Sequence, residues 1–275
     1  MRNEYLDVRP IAGALGAEVH GVDLAEDMDD ETFDAVHQAL LDNGVIFFRD
    51  QDITPGQQLA FAKRWGSVHL HPHLPCLPDY PGVLEIIKDV DDRANIGGFW
   101  HTDQMFTPTP ARATMLYAKE LPPVGGDTMF ANLYMAYDTL SDGMKAMIAD
   151  LNTVNLYNKK KERPAAKRVT MPEEDPKPAE HPLVRPHNET GKPVLYISYS
   201  GITRHIAGMT ESESRPLLDY LLDHATRPEF TCRFRWEPGS IALWDNRCVL
   251  HLALNDYHGY RRVMHRITIE SQRTH

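Results

Sequence analysis

Apolar residues recur at helical spacing in three stretches of the chain. In "DDETFDAVHQALLDNG", Phe33, Val36, Leu40 and Leu41 share one face, and Asn43-Gly44 supplies a C-terminal stop. Thr54-Pro55 pairs an N-cap with proline at the first helical position, which predicts a helix running to about Trp65 with Gly66 after it. Thr210 and Glu213 have capping-box spacing ahead of the stripe Leu217, Leu218, Leu221 and Leu222. Elsewhere the pattern shortens to segments rich in β-branched and aromatic residues: "VIFFRD", "VLEIIK", "ATMLYA", "VLYISY", "FTCRFRW", "SIALW" and "VMHRITI". Short strands joined by Pro- and Gly-bearing turns predict a mainly β, predominantly antiparallel sandwich or barrel with helices packed outside it. No repeating βαβ unit is visible.

Residues 158–193 break this pattern with many charges and prolines and little apolar periodicity. They read either as a solvated surface excursion, since such composition buries too little to order itself, or as a lid whose Lys159, Lys160 and Lys161 favour anions. With 275 residues, 42% of them hydrophobic and 25% charged, the chain can bury a full core, and a single domain over 1–275 is the expectation. A formal charge of −10 argues against a nucleic-acid surface, which needs a basic field. The opening residues lack the apolar run of a secretion signal, and no stretch approaches the roughly 20 apolar residues that span a bilayer. A soluble, cytoplasmic protein without membrane or nucleic-acid partners is expected. Cys76, Cys232 and Cys248 are widely spaced, form no CxxC pair, and read as small buried hydrophobes.

Within "FWHTDQMF", His101 and Asp103 stand two positions apart, so on a strand they would offer an imidazole nitrogen and a carboxylate oxygen on one side. Such a spacing arises easily by chance and gains weight only with a third ligand. Two histidines and one carboxylate on one face of an iron centre leave the other face open for oxygen chemistry. His251, at the end of an apolar segment, is a good distant candidate. Downstream of it, Arg262, Met264 and Arg266 alternate with Val263, His265 and Ile267, which puts both arginines on one strand face. Two guanidinium groups pointing into a barrel are costly without anionic partners, and they bind carboxylates and sulfonates through paired hydrogen bonds. The competing reading is a surface strand whose arginines face water. A rival ligand set, His69, His71 and His73 in "HLHPH", contains no carboxylate and is interrupted by Pro72.

Taken together, "WHTD", "AKELPPVGGDT", "IALWDNR", "LHLALNDY" and "RRVMHRITI" occur in the order of the taurine dioxygenase family, which the chain resembles over most of its length. This family of Fe(II)- and 2-oxoglutarate-dependent oxygenases includes alkylsulfatases and aryloxyalkanoate dioxygenases. The resemblance implies a double-stranded β-helix, or jelly roll, with flanking helices. It implies that His101, Asp103 and His251 bind Fe(II), and that Arg262 and Thr128 hold the far carboxylate of the cosubstrate 2-oxoglutarate. Arg266 matches the arginine that grips a substrate sulfonate, and His71 a histidine that contacts the same substrate. Leu74, Gly97, Lys161 and Ile202 stand where the taurine enzyme has other residues, so the anion grip is kept while the pocket walls change.

The implied reaction consumes O2 and 2-oxoglutarate, releases succinate and CO2, and hydroxylates a small organic anion. A sulfonate or sulfate ester comes first as the substrate expected, with an aryloxyalkanoate or other carboxylate as the alternative. Halogenation is disfavoured because Asp103 occupies the position where halogenases leave room for chloride. A metal-binding jelly roll without turnover is the reading from another class, and the paired arginines argue against it. Relatives form dimers or tetramers, so a homo-oligomer is expected by analogy.

Overall fold

The computed structural model describes residues 6–70, 76–157 and 177–271. In chain order, β1 (Asp7–Pro10), β2 (Ala17–His20), α1 (Asp30–Asn43), β3 (Val45–Phe48) and α2 (Pro55–Trp65) are followed by β4 (Cys76–Leu77), β5 (Tyr80–Lys88), β6 (Ala111–Glu120) and β7 (Thr128–Asn132). Two short helices, α3 (Leu133–Asp138) and α4 (Asp142–Ile148), precede β8 (Asn152–Asn155), β9 (Ala179–Pro182), β10 (Val184–Pro186), β11 (Pro193–Leu195) and β12 (Thr203–Ile206). Helix α5 (Glu211–Ala225) leads into β13 (Thr231–Phe234), β14 (Ile241–Asp245), β15 (Val249–Ala253) and β16 (Arg262–Glu270).

The long helices start and stop where the side chains allow. Asp29 accepts the Thr32 N–H at 2.7 Å to open α1, and Gly44, at φ 71°, closes it by donating its N–H to the Leu40 carbonyl. Thr54 with Gln57 and Thr210 with Glu213 form complete capping boxes on α2 and α5. Helices α3 and α4 are additions to the sequence reading. They are too short to show a periodicity and rest instead on caps from Asn132 and Ser141.

A large sheet runs in the order β1-β2-β3-β14-β6-β16-β5-β4, and a smaller one, β13-β7-β15, lies across from it. Period-two alternation divides the central strands of the large sheet, β3, β14, β6 and β16, between two cores. Val45 and Phe47 of β3 face the small sheet, where the Phe47 ring stacks on Phe234 with centroids 3.9 Å apart and meets Phe130 edge-on. Ile46 and Phe48 point the other way, onto Leu40 of α1 and Phe61 of α2. Removing each such side chain from water contributes roughly 1.5–3 kcal/mol, so both faces hold the sheet in place. This is the jelly roll with outer helices that the family resemblance implies, and it agrees with the antiparallel sandwich or barrel predicted from the strand pattern.

Three features differ from the sequence reading. Strand β2 pairs with β3 in parallel across α1, a single βαβ crossover within an otherwise antiparallel sheet. Of "VLYISY", only Val194 and Leu195 belong to a strand; Tyr196 and Ile197 are fully buried outside any ladder. The charged stretch 158–193 divides: 158–176, with Lys159, Lys160 and Lys161, lies outside the described residues, whereas β9 pairs with β8 and β10 with β11. Ala179, His181, Leu183 and His187 are buried there, so four inward positions outweigh the polar composition of this part. Cys232 and Cys248 are buried as expected, while Cys76 is only partly so. Among the described residues, no helix is long and apolar enough to cross a membrane.

Candidate active site

His101 and His251 are brought together by the backbone. Their N–H groups and carbonyls exchange hydrogen bonds of 3.0 and 2.8 Å in an isolated antiparallel bridge, which docks the loop before β6 onto β15. Asp103 does not continue a strand, as the spacing suggested. It sits in a turn followed by Gln104 at φ 57°, and the turn rather than a pleat swings its carboxylate back. Asp103 Oδ1 lies 3.8 Å from His101 Nε2 and 3.7 Å from His251 Nε2.

The donor chemistry suits a metal ion. His101 Nδ1 lies 2.7 Å from the Phe99 carbonyl, which can only accept, so Nδ1 carries the proton and Nε2 presents its lone pair toward Asp103. Burial pushes both histidines below their ordinary pKa, His251 strongly so with help from neighbouring His101, which keeps the imidazoles neutral. Burial alone would raise the Asp103 carboxyl, but the Arg266 guanidinium, helped by the Thr114 hydroxyl, holds it well below the usual carboxylate range. The cluster therefore offers two neutral nitrogens and an ionised oxygen.

Strand β16 supplies the positive side. Arg262 and Arg266 share its inner face with Met264, which packs in the inter-sheet core, while Ile267 and Ile269 join the helix-side core. Arg266 donates to Asp103 Oδ1 at 2.8 Å. Arg262 is buried, yet its Nε and Nη2 have no hydrogen-bond partner, and neither does Arg266 Nε. Orphaned guanidinium donors at this depth call for an anion. Thr128 of β7 lines the same cavity and accepts the Trp236 indole N–H at 3.0 Å; because an indole only donates, the Thr128 hydroxyl proton is free to point elsewhere. These are the groups a carboxylate deep in the cavity requires.

His101, His251, Thr128, Arg262, Arg266 and Gly97 thus line one cavity, with Asp103 at its edge between the histidines. Gly97 has φ +80°, and a Cβ there would come within 3.0 Å of His101 Cε1. Ile202 does not line this cavity; it is buried with Met105 and Tyr196 in a separate apolar cluster. His71, Leu74 and Lys161, named from the resemblance, lie outside the described residues, as does His73. His69 ends 3.5 Å from Glu270 and is not part of the cluster. Trp236, Trp244, Thr114 and Asn246 also serve the site. Trp244 and Asn246 fall within the motif "IALWDNR", while Trp236 and Thr114 are signalled only as hydrogen-bonding side chains that interrupt segments otherwise destined for the core.

His187, Asp245 and Cys248 also converge, but as a structural network. Arg247 occupies both Asp245 oxygens, at 2.8 and 2.6 Å, and His187 Nδ1 already accepts the N–H groups of Glu189 and Thr190. No lone pair of Asp245 or His187 is left pointing at a common centre.

A jelly roll that holds two imidazoles and a carboxylate beside two arginines, Arg262 buried with unpartnered donors and Arg266 half-buried against the carboxylate, defines a class: mononuclear metal enzymes that act with an anionic cosubstrate. Residues 7–268 match the model of the taurine catabolism dioxygenase TauD, TfdA family, and the chain belongs to that family. It is 35% identical to the alpha-ketoglutarate-dependent sulfate ester dioxygenase of Pseudomonas putida, across 97% of this chain and 90% of that one. It is 34% identical to the (S)-phenoxypropionate/alpha-ketoglutarate-dioxygenase of Sphingobium herbicidovorans, across 90% and 88%. A solved structure of a taurine dioxygenase from Burkholderia xenovorans superposes with a TM-score of 0.83 at 37% identity, covering 98% of this chain and 92% of that one. The protein is an Fe(II)- and 2-oxoglutarate-dependent dioxygenase, alpha-ketoglutarate being 2-oxoglutarate.

Proposed function

We propose that this dioxygenase hydroxylates a small organic anion, a sulfate ester or sulfonate in preference, with His101, Asp103 and His251 holding Fe(II). Arg262 and Thr128 receive the far carboxylate of 2-oxoglutarate, and Arg266 grips the anionic group of the substrate. The observation that carries this reading is the pair of arginines on the inner face of β16, with buried N–H groups unpartnered beside the His/Asp/His cluster. When bound, the iron would activate O2, the oxidant, with 2-oxoglutarate giving two electrons as it is oxidised to succinate and CO2 and the substrate giving the other two as it is hydroxylated.

What the chain contributes is placement. Arg262 needs a partner for donors that burial has stripped of water, and a terminal carboxylate satisfies two of them at once. The Thr128 hydroxyl, with Trp236 already donating to its oxygen, gives its proton to the same carboxylate. Arg266 touches Asp103, so an anion held by its free Nε is kept next to the metal. Cavity-lining Ile86, Ile96, Leu116 and Ala253 surround these charges with apolar wall, which excludes water and strengthens each ionic contact.

The test is succinate formation by iron-loaded enzyme across alkylsulfonates, sulfate esters and aryloxyalkanoates. One anion should raise succinate well above the uncoupled background with matching sulfite, sulfate or phenol. Arg266→Ala should raise the substrate KM by about 10- to 100-fold, in line with loss of a charged hydrogen bond of roughly 1.5–3 kcal/mol, while the 2-oxoglutarate KM stays put. An unchanged substrate KM would overturn the assignment. The aryloxyalkanoate reading is the second one, favoured by the phenoxypropionate relative, and phenol release in the same panel selects it. We further read the chain as one catalytic domain over 1–275 that works in the cytoplasm as a homo-oligomer.

A further inference from the structure

Asp103 has two oxygens, and the protein treats them differently. Oδ1 faces both imidazoles and Arg266. Oδ2 accepts the hydroxyl of Thr114 at 2.7 Å. Thr114 lies on β6, fully buried, in register with Trp244 of β14. Two residues beyond that tryptophan, Asn246 is also fully buried and gives its Nδ2 to Thr114 Oγ1 at 2.9 Å. Its Oδ1 accepts the Trp244 indole N–H at 3.0 Å and the backbone N–H of Asp103 at 3.2 Å.

The chemistry of these groups permits one proton arrangement. An indole N–H and a backbone N–H can only donate, so the atom of Asn246 that meets them is the carbonyl oxygen and its amide is not flipped. The NH2 must then face Thr114, whose oxygen accepts. A hydroxyl has a single proton, and that proton is left to donate to Asp103 Oδ2. The chain runs one way, from Trp244 through Asn246 and Thr114 to the carboxylate.

We infer that Thr114, oriented by Asn246 and Trp244, is a positioning residue that occupies Asp103 Oδ2 and restricts the carboxylate to one oxygen, Oδ1, toward the metal. The inference rests on the reading of His101, Asp103 and His251 as metal ligands. A carboxylate that offers one oxygen leaves more of the metal open to cosubstrate and oxygen than one that offers two. Losing the Thr114 hydroxyl frees Oδ2 to turn toward the metal and leaves the Asn246 NH2 buried without its acceptor. Outer partners of metal ligands of this kind typically change affinity by about 10- to 100-fold.

The test uses Co(II) titration of the full-length protein without 2-oxoglutarate, read both as affinity and as the intensity of the visible d–d bands, which falls as the coordination number rises. Thr114→Val keeps the shape and removes the hydroxyl; the expected result is a Co(II) Kd about 10-fold or more weaker with weaker d–d bands. Thr114→Ser keeps the hydroxyl and should return both to wild type. Thr114→Val with wild-type affinity and spectrum overturns the inference, as does Thr114→Ser behaving like Thr114→Val, because packing would then be the cause. If the valine variant does not fold, Thr114→Ser against Thr114→Ala poses the same question with the methyl absent from both. Asp103→Ala is the separate control. Unchanged Co(II) binding in it would remove the ligand reading itself, and this inference with it.

Discussion

Single atoms decide much of the site. Gly97 carries the one backbone conformation in the cavity that an L side chain adopts reluctantly, and the space its Cβ would take belongs to His101. The His101 ring cannot simply yield, because Nδ1 is tied to the Phe99 carbonyl at 2.7 Å and the backbone is tied to His251. Gly97→Ala should therefore cost about 1 kcal/mol or more of stability from the positive φ. It should also weaken Co(II) or Mn(II) binding by about 10-fold as the imidazole is displaced. Thermal melting of the metal-free protein and metal titration read these two effects separately; wild-type metal affinity in the variant would mean that the ring accommodates the methyl group. From sequence, Gly97 was visible only as a departure from a family pattern. Its contact with His101 depends on a loop path that no local periodicity encodes.

At the scale of elements, alternation proved the most legible signal. Strand β16 shows why: a period of two separates Arg262, Met264 and Arg266 from Val263, His265 and Ile267 whatever the strand packs against, so the arginine face followed from spacing alone. His101 and Asp103 show the limit of the same rule. The spacing placed them on one side of a strand, and they do converge, but through a bridge and a turn whose geometry is set by β15 far along the chain. Capping chemistry was equally readable, because it is local. Asp29 opens α1, and the Leu40 face of that helix covers the large sheet, so Asp29→Ala should lower stability by about 1 kcal/mol in urea unfolding. Metal and 2-oxoglutarate affinities should not change in that variant, since α1 contributes nothing to the cavity. A shift in either would mean that α1 transmits strain to the site.

Over the whole molecule, buried histidines couple folding to pH. His101, His181, His251 and His265 all have pKa values lowered from 6.5, with burial the largest cause in each. In the unfolded chain each takes up a proton near pH 6.5, while in the fold each does so only at lower pH. The unfolded state thus binds more protons once the pH drops below that value, and stability must fall with it; for one buried group such as His251 the slope reaches at most about 1.4 kcal/mol per pH unit. Asp103 and Asp245 act in a different window. Their carboxyls are held below 3.8, so the stability they contribute is complete above that pH and is lost only as the pH falls further. Between pH 7.5 and 5.5 the histidines dominate among these groups, and the urea midpoint of metal-free protein should decrease over that interval. Fe(II) or Mn(II) should deepen the dependence, because protons and metal compete for the same Nε2 atoms of His101 and His251. A midpoint that stays level from pH 7.5 to 5.5 would show that these imidazoles can charge within the fold, and a cluster of neutral, metal-ready imidazoles would then be the wrong description of the site.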